Sequence, residues 1–186
     1  WSGQYHSLVE LDDDPAIEIV DTDWCYHYTS CLPHKGLWHK VVLDWDADRQ
    51  RFVVGSRELH LARTNMQRRD AKQPEVDFDA WKNEQITSAL VGVPEDGVVR
   101  GDGHERDVIQ LRLADSLARL LYLGCVDEAL DLLHRLDFED WDSSYSREPR
   151  PAMTRDQWWT AFLAATRESP YWASLVERYP RLADLR

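Results

Sequence analysis

The period of the hydrophobic pattern changes part-way along the chain, and that change limits the possible folds more than any other feature. In Ala16-Ile17-Glu18-Ile19-Val20, apolar residues alternate with polar ones as a half-buried strand requires. Val41, Leu43 and Trp45 share one face of a second such segment, and Asp44 and Asp46 share the other. The polar turn Ala47-Asp48-Arg49-Gln50 leads into Arg51-Phe52-Val53-Val54. Gly55-Ser56 then leads into Arg57–Leu61, where Leu59 and Leu61 alternate with Glu58 and His60. This predicts a three-stranded antiparallel meander with one polar face, its other face wanting helices.

Beyond residue 73 the spacing is helical. The polar stretch Thr64–Gln73 is expected to be a linker. A helix follows from about Asp77 to Leu90, carrying Phe78, Trp81, Ile86 and Leu90. Glycines and Pro94 mark residues 92–103 as a loop. Val108, Leu111, Ala114, Leu117, Ala118 and Leu121 then run to Gly124, a C-cap. Val126, Ala129, Leu130, Leu133 and Leu136 form a return helix. That hairpin, residues 107–136, resembles one repeat of the tetratricopeptide kind, but no second copy follows at a fixed period. Thr154 and Gln157 have capping-box spacing, and Ser169-Pro170 is expected to start a last helix that stops at Pro180. The predicted fold class is α+β: an N-terminal antiparallel β meander packed with a C-terminal helical bundle. We expect one domain over residues 1–186, strand-rich over 1–73 and helical over 74–186.

The 186 residues carry a net charge of −12 and include nine tryptophans. Strong acidity disfavours a nucleic-acid partner, because phosphate would repel the surface. The basic group Arg63, Arg68, Arg69 and Lys72 is diluted by Asp70 and Glu75. The apolar runs are far shorter than the roughly 20 residues a membrane span needs. The chain opens on Trp1, and its methionines are Met66 and Met153. We therefore expect that an upstream segment was removed, a signal peptide or membrane anchor being one form of it. Membrane contact is expected only through such a segment. The expected location is the periplasm, free or anchored, with the cytoplasm as the alternative.

Several constellations carry potential chemistry. Cys25, His27, Cys31, His34 and His39 offer sulfur and nitrogen donors of the kind zinc prefers, but with no C-x-x-C and no second half-site. The simpler reading is a Cys25–Cys31 disulfide, or three reduced thiols counting Cys125, with histidines at the surface. Asp44-Trp45-Asp46-Ala47-Asp48 opens like a calcium loop, but Arg49 takes the glycine position and Gly55 stands where the bidentate glutamate belongs. Tyr26-His27-Tyr28-Thr29-Ser30 resembles the short opening motif of ADP-ribosyltransferase-like families. The resemblance implies a strand contacting nicotinamide-adenine dinucleotide, with His27 as the residue to test. No P-loop, G-x-S-x-G or H-E-x-x-H is present, and neither a metal nor a cofactor is expected.

Protein recognition remains. Residues 137–145 interleave aromatic with acidic side chains: aromatics anchor hot spots and carboxylates steer a basic partner. The expected contacts are Asp137, Glu139, Asp140, Trp141 and Asp142, with Asp44, Asp46 and Asp48 as a second patch. In character the chain is similar to immunity proteins that neutralise secreted antibacterial toxins. The alternatives are an ADP-ribosyltransferase-like enzyme and a structural or adaptor subunit of a bacterial envelope complex.

Overall fold

The computed structural model describes residues 6–12, 14, 16–23, 25, 39–99, 103–138 and 154–185. The α+β class holds, with an antiparallel sheet first and helices after it. The sheet has four strands in chain order: β1 (Ser7–Val9), β2 (Glu18–Asp23), β3 (His39–Asp46) and β4 (Arg51–Val54). Strand β1 was not expected; it pairs Leu8 with Ile19 and edges the sheet. Register places Leu8, Ile19, Leu43 and Val54 opposite one another on one face, and Trp45 opposite Phe52 on the same face. Val41, Leu43 and Val54 are buried there in the main core. On the reverse face Val20, Val42 and Leu59 make a smaller cluster with Val9 and Leu11.

The third meander strand does not exist. Arg57–Asp70 is a helix, α1, and it absorbs both the expected strand at 57–61 and most of the expected linker at 64–73. Two alternating leucines imitate a strand, but on the helix Leu59 packs in the small cluster and Leu61 against the main core, and the cap decides between the two periods. The Ser56 hydroxyl accepts the Leu59 amide at 3.3 Å, and Glu58 sits in the first turn, where a negative charge favours the helix N-terminus.

The later helices follow their sequence signals. In α2 (Phe78–Leu90), Asp77 caps by accepting the Ala80 amide at 2.8 Å. Helix α3 (Gly103–Tyr122) is the central element, with Leu113, Ala114, Leu117, Ala118, Leu120 and Leu121 all buried. It ends at Gly124 (φ +67°), where the Cys125 amide returns to the Leu120 carbonyl at 2.8 Å. A Cβ on Gly124 would lie 2.4 Å from the Tyr179 ring, so the residue is fixed by packing as well as by its backbone. Helix α4 (Val126–His134) buries Val126, Ala129, Leu132 and Leu133 against this core. The short strands β5 (Val98–Val99) and β6 (Asp137–Phe138) pair in parallel.

Helix α5 (Arg155–Arg167) opens with the full capping box. Thr154 Oγ1 accepts the Gln157 amide at 3.3 Å, and Gln157 Oε1 accepts the Thr154 amide at 2.9 Å, a motif contributing about 1 kcal/mol. Helix α6 (Trp172–Arg178) begins slightly later than expected, because the Ser169 hydroxyl accepts the Tyr171 amide at 3.1 Å and holds the preceding turn. Pro180 ends it and opens a 3-10 turn to Asp184. Among the described residues no helix is long and apolar enough to cross a membrane.

Candidate functional site

Two ends of the β2–β3 ladder carry the side chains most unlike an ordinary core or surface. At the first end polar groups are buried. Asp23 pairs with His39 across the strands, and both side chains lie beneath the helices. Asp23 accepts hydrogen bonds from the Tyr122 hydroxyl and from Ser169 Oγ, the latter at 2.6 Å. Asp21, on the same face, accepts from the Tyr171 hydroxyl and lies 2.9 Å from His6 Nδ1. Burial and the Asp21 carboxyl push the Tyr171 hydroxyl well above the usual phenol range. Each buried carboxyl is thereby satisfied, as a polar group inside a core must be.

Beside this network lies a cavity of about 330 Å³ between the start of β3, α1, α2 and α3. Four of its lining residues, His60, Arg63, Thr64 and Gln67, come from one face of α1, at the i, i+3, i+4, i+7 spacing of a helix. His39, Trp81 and Arg119 supply other walls. His39 and His60 are both buried, and the Nε2 atom of each has no hydrogen-bond partner among the described residues. Burial, then the nearby Arg119, His60 and Arg63, holds His39 well below the usual imidazole value. Burial, then Arg63 and Arg178, pushes His60 down to about 3. Both rings are therefore neutral near pH 7. Arg63 is itself drawn below the ordinary guanidinium value by burial and then by Arg119.

The other end of the ladder inverts this pattern. Continuing the register one step beyond Ile19 and Leu43 brings Ile17 beside Trp45 and Phe52, on the core-facing side of the sheet. Here that side lies open, leaving Leu8 72%, Ile17 52%, Trp45 42% and Phe52 42% exposed. The Trp45 and Phe52 rings meet edge to face, 5.1 Å between centroids. Among the described tryptophans Trp45 alone is exposed, whereas Trp81, Trp158 and Trp159 are buried and Trp172 is half-buried.

The expected acidic patch borders this open end. Asp44 is half-buried on the reverse face, and its carboxyl is raised above the usual range by burial, with the charges of Asp12 and Asp14 adding to it. Asp46 is engaged by Arg49, whose amide and guanidinium donate to it at 3.0 and 3.2 Å; Arg49 also pairs with Glu177 at 2.5 Å. Asp48 lies exposed in the β3–β4 turn. The three expected residues therefore share a neighbourhood but not an environment, and Asp48 is the most available.

Asp137 is exposed, but it belongs to β6, its amide donating to Gly97 at 2.9 Å, rather than to an open loop. Glu139, Asp140, Trp141 and Asp142 lie outside the described residues, as do His27, Cys31 and His34. His39, expected at the surface, is instead 5% exposed, its ring packed at a 57° tilt beside that of Tyr122, centroids 4.4 Å apart. Among the residues grouped as a basic patch, Arg68 pairs with Glu84 and Arg69 with Glu75, while Arg63 turns to the cavity. Sequence reasoning missed the cavity entirely, although the helical spacing of residues 60, 63, 64 and 67 was a signal for it. No family model, curated protein or solved structure matches this chain, so the site is read from its own chemistry.

Proposed function

We propose that the chain is an acidic protein-binding module whose working face is the open end of the sheet. The observation that carries this reading is the exposed row Ile17, Trp45 and Phe52, rimmed by Asp46 and Asp48. Apolar side chains left about half in water gain about 1 kcal/mol each when a partner covers the rest, and the surrounding carboxylates favour a cationic partner. The net charge of −12 adds long-range steering toward such a surface. The specific form we favour is an immunity-type inhibitor that occludes a basic or catalytic cleft of a secreted antibacterial toxin.

The test is capture of binding proteins by the wild-type chain and by Trp45→Ala and Asp48→Lys variants, followed by titration of the purified partner. Wild type should retain one basic protein. Trp45→Ala should weaken it about 30-fold, as loss of a hot-spot anchor does, and Asp48→Lys should slow association more at low salt than at high salt. A partner bound equally well by all three proteins, or none bound at all, defeats the reading.

A further inference from the structure

We propose that the cavity beneath α1 is an oxyanion-binding site, taking the phosphate or carboxylate group of a small ligand against Arg63, Arg119, His39 and His60. The cavity holds donors that no described acceptor matches. Arg63 is half-buried, and no described carboxylate pairs with it. Arg119 engages Asp115 through Nε at 2.9 Å, which leaves its two terminal nitrogens for another oxyanion; its side chain is 46% exposed and so reaches solvent. The orphaned Nε2 atoms of His39 and His60 each donate in the corresponding neutral tautomer. Buried donors without acceptors are costly, and two guanidinium groups sharing a cavity repel each other; one bound oxyanion relieves both.

A cation is the wrong occupant. The two arginines repel it, and among the described residues the one group of three or more convergent metal-type ligands is Glu10, Asp12 and Glu18, at the β1–β2 connection. The cavity is also too small for a macromolecular segment, since about 330 Å³ stands at the lower end of small-molecule pockets. Trp81, 5% exposed, gives the ligand's body an apolar wall. Lys40 lines the rim, but its Nζ already donates to Thr22 at 2.6 Å, so it contributes charge more than a directed contact.

This site is separate from the docking face and stands or falls without it. The experiment titrates the intact chain with sodium phosphate, and separately with sodium acetate, against sodium chloride at equal ionic strength. The readouts are Tm and the imidazole nitrogen resonances of His39 and His60. At least one anion should raise Tm saturably and shift both imidazoles with the same midpoint; which anion does so assigns the phosphate or the carboxylate form. Arg63→Gln should weaken that midpoint about tenfold or more, as loss of a charge-assisted contact does, while Trp45→Ala leaves it unchanged. The proposal is overturned if neither anion shifts the wild-type imidazoles saturably, or if Arg63→Gln binds like wild type. The wild-type imidazole titration decides the matter even if the variant does not fold.

Discussion

The two ends of one β2–β3 ladder differ in the opposite sense to the usual rule. At the Asp23–His39 end, carboxyl, imidazole and hydroxyl groups are buried; at the Ile17–Trp45 end, large apolar side chains face water. Both belong to the same sheet face, and the difference lies in what covers them. Helix α3 and the turn Ser169–Tyr171 before α6 close over the first end, and the hydroxyls of Tyr122, Ser169 and Tyr171 satisfy its carboxyls. Toward the second end α6 reaches the edge strand, where Ser174 Oγ accepts the Val54 amide at 2.8 Å and Glu177 meets Arg51 at 2.9 Å. Buried polar groups and exposed apolar groups are the departures that carry information, because each needs a compensating partner. The buried carboxyls have found their partners within the chain. The open end has none among the described residues, which is why we place docking there.

The comparison breaks most severely at Asp23. Asp23→Ala leaves the buried Tyr122 and Ser169 hydroxyls without their acceptor and should lower unfolding stability by about 3 kcal/mol, read from the urea midpoint. Acid should act at the same end. An imidazole kept neutral by folding takes up its proton only in the unfolded chain once the pH drops below about 6.5, so native stability falls from there toward about 3. At pH 5 His60 alone accounts for about 2 kcal/mol of that loss. His60→Gln should therefore show a smaller drop in urea midpoint between pH 7 and pH 5 than wild type does.

The open end should tolerate change. Trp45→Ala removes an exposed edge-to-face contact and should lower stability by about 1 kcal/mol or less, while its effect on partner affinity is large. The smallest change expected is a gain. Asp44→Asn replaces a carboxylate disfavoured by burial and by Asp12 and Asp14, so stability should rise by a few tenths of a kcal/mol at pH 7. A raised carboxyl pKa weakens the native state only where the unfolded chain is ionised, so this gain should vanish below about pH 4. A midpoint gain persisting unchanged at pH 3 would show that Asp44 is not the cause.

How much of this was legible from the sequence depended on how local each signal was. Helices α2 to α5 announce themselves through caps and 3.6-residue spacing confined to neighbouring residues: Asp77, Gly124 and the Thr154/Gln157 box each act where they stand. Helix α1 was hidden because it buries little apolar surface; its fully buried residues are Leu59 and His60, and two leucines two apart imitate a strand. Reading residues 57–61 as strand and 64–73 as linker separated His60 from Arg63, Thr64 and Gln67, and with them the cavity disappeared. His39 and Arg119 could not be joined to that group by any motif, because the fold brings them together across most of the chain. The open sheet end was half legible. The alternation put Trp45 on the apolar face correctly, but it carries no signal that this part of the face is left exposed.

The Asp23–Ser169 hydrogen bond joins residues 146 positions apart, and Arg51 meets Glu177 across 126. During synthesis, β2 therefore emerges long before the hydroxyls that will donate to its buried carboxyls. Such long-range closures slow folding, because the intervening chain must be ordered before they contribute. Nascent chains halted before residue 169 should hold the sheet in a protease-sensitive state, and resistance should arrive abruptly once α6 is released. A copy cut before residue 169 keeps the Tyr122 donor to Asp23 but lacks those of Ser169 and Tyr171, and so leaves both acids short of a partner.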